Sequence, residues 1–317
     1  YGITVGGLAN ENYTITFVDG KLTITPADLI VTANDATRTY GAANPEFSAS
    51  AEGLMEWDEE WFASSELEFD TDATQQSNVG EYGITVGGLE SSNYTITFVD
   101  GKLTITPAAL TVKANDASRT YGAANPEFTA SAEGLMEWDE VWFASSELEF
   151  DTDATQQSDV GEYGITVGGL ANENYTITFV DGKLTITPAT LIVTANDATR
   201  TYGDEDPGFT ASAEGLMAWD EAWFASSELE FGTDATQQSD VGEYGITVGG
   251  LESGNYTITF VDGKLTITPA DLIVTANDAT RTYGAANPEF TASAEGLMEW
   301  DEAWFASSEL EFDTDAT

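Results

Sequence analysis

The sequence predicts a mainly β chain with one short helix per repeat. We read it as tandem β-grasp-like domains in a linear rod, with immunoglobulin-like β-sandwich repeats as the alternative. Three observations carry this. The string Tyr-Gly-Ile-Thr-Val-Gly-Gly-Leu starts at Tyr1, Tyr82, Tyr163 and Tyr244, a spacing of 81 residues each time without insertion. Apolar residues alternating with threonine fill much of each period, as half-buried strands require. One stretch, around Trp57 and Trp61, breaks that alternation at helical spacing. A period this long holds a small domain with its own core, unlike the helical-hairpin repeats of solenoids. The organisation is therefore 1–27 as the closing part of a repeat, 28–108, 109–189 and 190–270 as full repeats, and 271–317 as an opening part.

The elements follow in order. Leu29-Ile30-Val31-Thr32-Ala33 reads as a strand. Arg38-Thr39-Tyr40-Gly41 leads into a loop that closes at Asn44-Pro45, and Phe47–Ala51 is a weaker strand. Leu54, Trp57, Trp61 and Phe62 predict a helix over Asp58–Ser65 that packs both tryptophans onto a sheet. Asp58 is placed to cap it, and Glu59 and Glu60 suit the positive end of the helix dipole. Leu67–Asp70 alternates again, as an edge or half-buried strand. Tyr82–Val86 is a strand ended by Gly87-Gly88. Tyr13–Phe17 and Leu22–Thr25 flank Asp19-Gly20, the pair that favours a type I′ hairpin turn. Tyr13, Ile15, Phe17, Leu22 and Ile24 would then face the core. Pro26, Pro107, Pro188 and Pro269 join one repeat to the next with no Gly/Ser tract, so the junctions should be stiff.

Charge and composition bound the function. Hydrophobic residues make up 41% of the chain, enough for packed cores. Against 56 acidic residues stand nine basic ones, a net charge of −47. Such a surface repels nucleic acid and anionic membranes and attracts cations. No apolar run approaches the roughly 20 residues of a membrane-spanning helix. Cysteine and histidine are absent, which removes Ser-His-Asp and Cys-His nucleophiles and the usual zinc sites. No phosphate-cradling loop occurs, and no carboxylate pair stands out from the many. The expectation is a protein that is not an enzyme and has no cofactor other than calcium.

Calcium is the sharpest ligand hypothesis, because it takes many oxygen ligands in irregular cages. Asp70 and Asp72 alternate at a strand, as do Asp151 with Asp153 and Asp313 with Asp315, so each pair should share one face. Gly232 breaks the pattern in the third repeat. The alternative is a solvated acidic surface. Asn12, Asn93, Asn174 and Asn255 each open an Asn-Tyr-Thr glycosylation sequon, and asparagine also suits the turn before a strand. Arg38, Arg119, Arg200 and Arg281 should pair with local carboxylates. The paired tryptophans suit core packing better than stacking on sugars.

The combination of ITVGGL, NYTITFVDGKLTITPA, LIVTANDATRTYG and a following NPEF resembles the MBG domain, over the strand segments of every copy. That resemblance implies tandem repeats of a large bacterial surface or adhesin-like protein, an extracellular spacer or adhesive role, and no catalytic residues. Two function classes are carried forward. One is a structural repeat segment of an extracellular fibre or adhesin stalk. The other is a repeated ligand-binding array for carbohydrate or calcium. The expected partners are neighbouring repeats or copies of the chain head to tail. Residues 271–317 and 1–27 together fall only seven residues short of a repeat, as in a window on a longer periodic object.

Overall fold

Residues 27–106 show how the alternation becomes a domain. In the computed structural model, which describes residues 1–315, they form β1 Ala27–Ala33, β2 Ala36–Thr39, β3 Ala49–Glu52, α1 Glu59–Ala63, β4 Glu68–Asp70, β5 Gly80–Gly87, β6 Tyr94–Val99 and β7 Gly101–Thr106. The last two positions of the 271–317 segment lie outside the described residues. The strands divide between two sheets, ordered β3-β1-β6 and β2-β7-β5-β4. In the first sheet β1 runs antiparallel to β3 and parallel to β6, with Ala27 opposite Tyr94. In the second, β7 is parallel to β2 and antiparallel to β5, and β4 closes the edge antiparallel to β5. The repeat is thus mainly β with one short helix, and two sheets enclose its core as in the sandwich alternative.

The Asp-Gly pair does not make the expected hairpin. β6 and β7 lie in different sheets, and Gly101 does not have the positive φ of a type I′ turn. The pair is a corner. Chain 27–39 and chain 94–106 run side by side and cross between the sheets together, at Asn34-Asp35 and Asp100-Gly101. Asp35 Oδ1 accepts a hydrogen bond from Lys102 N at 2.8 Å across the corner. A Cβ on Gly101 would overlap the Ala33 carbonyl, so the close approach of the two backbones selects glycine there. Both chains also shift their apolar phase by one residue at the crossing. The inner positions are 29, 31 and 33, then 38 and 40, in one, and 94 and 96, then 103 and 105, in the other.

Leu29, Val31 and Ala33 from the first sheet meet Ile84, Val86, Leu103 and Ile105 from the second, all buried. Each large aliphatic side chain so buried contributes roughly 1.5–3 kcal/mol. Arg38 is buried too, on the inner phase of β2. Among the described residues it finds no carboxylate. Its Nε donates to Asn44 Oδ1 at 2.7 Å and its guanidinium to the Thr39 and Thr74 carbonyls, so polar oxygens satisfy the charge. Arg119 repeats this with Asn125. Arg200 meets the expected carboxylate, Asp206 Oδ1 at 2.7 Å, because the third repeat carries Asp where the others have Asn. Arg281 is exposed and donates to the Ala285 carbonyl.

The third repeat has the same topology, with Ala189–Ala195 between Ala211–Glu214 and Tyr256–Val261, and Gly263–Thr268 between Ala198–Thr201 and Gly242–Gly249. The chain divides into two compact units. Tyr1–Asn115, Phe128–Asp151 and Gly164–Gly182 form one, and Asp116–Glu127, Thr152–Tyr163 and the residues from Lys183 onward form the other. The second repeat contributes Ala108–Ala114, Ala130–Glu133 and Tyr175–Val180 to the first unit as one sheet. In residues 1–26 the paired strands are Gly2–Ile3 and Gly20–Lys21. In residues 271–315 Ile273–Ala276 pairs with Ala292–Glu295. No helix of the described residues is long and apolar enough to cross a membrane.

Candidate functional site

The tryptophan segment is shorter and differently held than its spacing predicts. A 3₁₀ turn, Glu56–Asp58, precedes α1, and the Asp58 side chain makes no capping bond. Its Oδ2 instead accepts from Tyr94 Oη at 2.6 Å, while Met55 N donates to the same phenol oxygen at 3.1 Å. Trp61 stacks on Tyr94, ring centroids 6.0 Å apart and nearly parallel. Trp61 therefore packs on its own repeat. Trp57 does not, and is 80% exposed.

In the next copies this second tryptophan has a partner: the Tyr-Gly loop of the preceding repeat. Trp138 Nε1 donates to Tyr40 Oη at 2.8 Å, and Tyr40 Oη donates to Asp139 Oδ2 at 3.0 Å. The same carboxylate oxygen accepts from Tyr175 Oη, which in turn accepts from Met136 N. Tyr40 meets both Trp138 and Tyr175 edge to face, at 6.3 and 5.4 Å. One carboxylate thus gathers a phenol from each of two consecutive repeats in a satisfied network. Gly41, at φ +81°, presents its bare Cα to Met136, whose thioether a Cβ would overlap. Two demands, the left-handed backbone and the packing, fall on one glycine. Burial, reinforced by Asp139, pushes the Tyr175 phenol far above the usual tyrosine value. Burial raises Tyr40 as well, with Asp139 adding to the shift.

Asn174 completes the joint. Its Oδ1 accepts from Val79 N at 2.9 Å and its Nδ2 donates to Asn78 Oδ1 at 2.9 Å, both in the preceding repeat. The second unit holds an equivalent joint. Trp219 and Asp220 engage Tyr121, Asp220 also accepts from Tyr256, and Asn255 takes Val160 N and donates to Asp159 Oδ1. Trp300 and Asp301 engage Tyr202 in the same way. In the first repeat the corresponding residues, Met55, Trp57, Asp58, Asn93 and Tyr94, line an open cleft of about 510 Å³ with Tyr1 and Ile24–Ala27.

The residues singled out from the sequence fall elsewhere or play other parts. Asp70 ends β4, where its Oδ1 accepts from Thr71 N, and Asp72 lies beyond the strand in a bend. The two therefore do not alternate along one strand. Asp151, Asp153, Asp313 and Asp315 are exposed. Among the described residues no three carboxylates converge on a metal-sized site. Of the sequons, Asn12 and Asn93 are exposed, whereas Asn174 and Asn255 aim their side-chain nitrogens at the preceding repeat.

Sequence reasoning missed the joint itself. The available signal was internal. Met, Trp and Asp recur unchanged at 55, 57 and 58 and at 136, 138 and 139, while the neighbouring Glu60 becomes Val141, Ala222 and Ala303.

Comparisons place the chain. Among curated proteins, none matches it in sequence. Similar solved structures include Drosophila N-cadherin EC1-4, at 9% identity and TM-score 0.23 over 77% of this chain and 76% of that one. Drosophila N-cadherin EC1-3 aligns at 9% identity and TM-score 0.22 over 74% and 98%. The three N-terminal domains of the bacteriophage RB49 Highly Immunogenic Outer Capsid protein align at 11% and 0.20 over 81% and 93%. At these scores the likeness carries no argument. The repeat itself is decisive: residues 29–104, 110–185, 191–266 and 272–317 each match one family, and the chain belongs to the MBG domain (YGX type) family.

Proposed function

We propose that this chain is a structural spacer: a segment of an extracellular or cell-surface array, a fibre or adhesin stalk of bacterial type, in which the repeats at 28–108, 109–189 and 190–270 are fastened to one another and carry out no catalysis. The observation that supports this most is the joint. Tyr40 of one repeat sits between Trp138, Asp139 and Tyr175 of the next, and a single residue, Pro107, separates the closing strand Gly101–Thr106 from the opening strand Ala108–Ala114. A chain built to tether would have slack at this place. The Asp139 carboxylate is occupied by two phenols, so it is spent on fastening and not on acid–base chemistry. The repeated tryptophan that could have stacked on a sugar is turned into the joint in the same way, which favours the spacer over a carbohydrate-binding array. Calcium then acts as a general counter-ion to the acidic surface.

Small-angle X-ray scattering on the chain tests the reading. The expected result is an extended particle with a narrow length distribution, which Tyr40→Ala with Tyr121→Ala broadens. A broad distribution in the unaltered protein would refute stiff fastening.

A further inference from the structure

The asparagine of each Asn-Tyr-Thr has a job that its sequon does not announce. Asn174 is half-buried and engaged on two sides: its backbone carbonyl accepts from Ala108 N, at the start of the strand that pairs with its own, and its side chain bonds twice to residues 78 and 79 of the repeat before. Asn255 does the same with Ala189 N, Val160 N and Asp159. A carboxamide accepts from a backbone N–H through its oxygen and donates to a facing oxygen through its nitrogen. The facing oxygen differs between the joints. In the first it belongs to the neutral Asn78, in the second to Asp159.

We propose that Asn174 and Asn255 are the latch that fixes the register of one repeat on the next, and that the residue facing each latch, Asn78 or Asp159, sets how strictly an amide is required. This rests on the reading of the joint as a fastening. Facing Asn78, an aspartate at 174 loses a donor but can still accept from the Asn78 amide after it rotates. Facing Asp159, an aspartate at 255 sets two carboxylates at hydrogen-bond distance with no proton between them. The second joint is therefore intolerant of amide-to-acid conversion, and the first is tolerant. Asn93, which is exposed and whose side chain makes no bond of this kind among the described residues, is the control within the same chain.

Amide hydrogen exchange on the full chain reads the latch directly, because Val79 N and Val160 N are its donors. Asn174→Ala should lower protection of Val79 about tenfold and leave Ala108 N unchanged. Asn255→Asp should cost Val160 about tenfold more protection than Asn174→Asp costs Val79. Adding Asp159→Asn to Asn255→Asp should bring that loss back to the level of the first joint. Asn93→Asp should move neither amide. Unchanged Val79 exchange in Asn174→Ala, or equal losses in the two joints whatever stands at 159, would overturn the proposal. Failure of the stiff-array reading is separable: it appears as a broad scattering length distribution while Val79 stays protected.

Discussion

Residues 12–27 and 93–108 are the same sixteen-residue string, yet they end in different states. In the second copy Leu103 is 0% exposed and Ile105 1%; in the first, Leu22 is 50% exposed and Ile24 68%. The second copy forms two full strands, each paired in parallel with chain 27–39. In the first copy Gly20–Lys21 pairs with Gly2–Ile3, and no 13–17 to 22–25 hairpin forms. The comparison separates local from non-local causes. The string alone does not close on its Asp-Gly pair. It becomes two strands where a second chain crosses the sheets beside it, about 67 residues away in sequence, as the Asp35–Lys102 bond shows. Strand propensity here is the ability to fit a pleated, half-buried surface.

The same substitutions in the two copies should therefore have unequal effects. Leu103→Ala should cost about 2–5 kcal/mol, the loss of a fully buried leucine plus its cavity, while Leu22→Ala should cost well under about 1 kcal/mol. Urea unfolding of both variants checks this, and equal costs would mean that residues 12–27 are packed in solution. Gly101→Ala drives a methyl into the Ala33 carbonyl and should cost about 1–3 kcal/mol. Gly20→Ala has only Ile3 nearby, at 3.6 Å from the new Cβ, and should change little. Matching losses at both glycines would restore the hairpin turn as the explanation.

A second pair divides in the same way one level up. Trp57 and Trp138 occupy equivalent positions, but Trp57 is 80% exposed and Trp138 37%, and only Trp138 has a tyrosine of the preceding repeat against it. Trp138→Ala removes a hydrogen bond and an edge-to-face contact and should lower stability by about 1–3 kcal/mol, whereas Trp57→Ala should stay within about 0.5 kcal/mol. Thermal unfolding of the two variants, with the tryptophan fluorescence compared, would show whether the joint couples its neighbours as nearest-neighbour terms do in repeat arrays.

These pairs also show what the sequence makes legible. Most strand positions and the presence of a helical turn were readable from periodicity, because each depends on the two faces of a local element, although β2 reads only as the lead into a loop. The assignment of strands to sheets was not. Asp100-Gly101 carries the local signature of a hairpin, and only the matching phase break at Asn34-Asp35 distinguishes a corner shared by two chains. The joint was hidden for a related reason. Asp58 reads as a helix cap because its partner, the Tyr94 phenol, is 36 residues away. Asn174 reads as a glycan acceptor because Val79 is 95 residues away. Buried Arg38 contradicts the expectation of an ion pair because carbonyl and carboxamide oxygens, invisible to a count of charges, satisfy it.

The smallest effect, and the one that sharpens the contrast between joint and sheet, is alkaline opening. Burial, aided by the Asp139 carboxylate, raises Tyr40 and Tyr175 above the usual tyrosine value, and burial does the same for Tyr121 and Tyr256 beside Asp220. A folded-state pKa above the unfolded one means that the fold favours the protonated phenol. That stabilisation is complete below the ordinary tyrosine value of about 10 and is lost as pH climbs through the raised values. Between these limits the joints should loosen while the sheets, whose cores hold aliphatic side chains, persist. Fluorescence of Trp138 and Trp219 should change at a lower pH than the far-ultraviolet circular dichroism. Asp139→Asn removes the contribution of the carboxylate and leaves that of burial. The tyrosinate absorbance should then begin to rise at a lower pH, by less than the whole shift because burial is the larger cause. An onset that Asp139→Asn leaves unmoved would show that the carboxylate does not hold the two phenols together in solution.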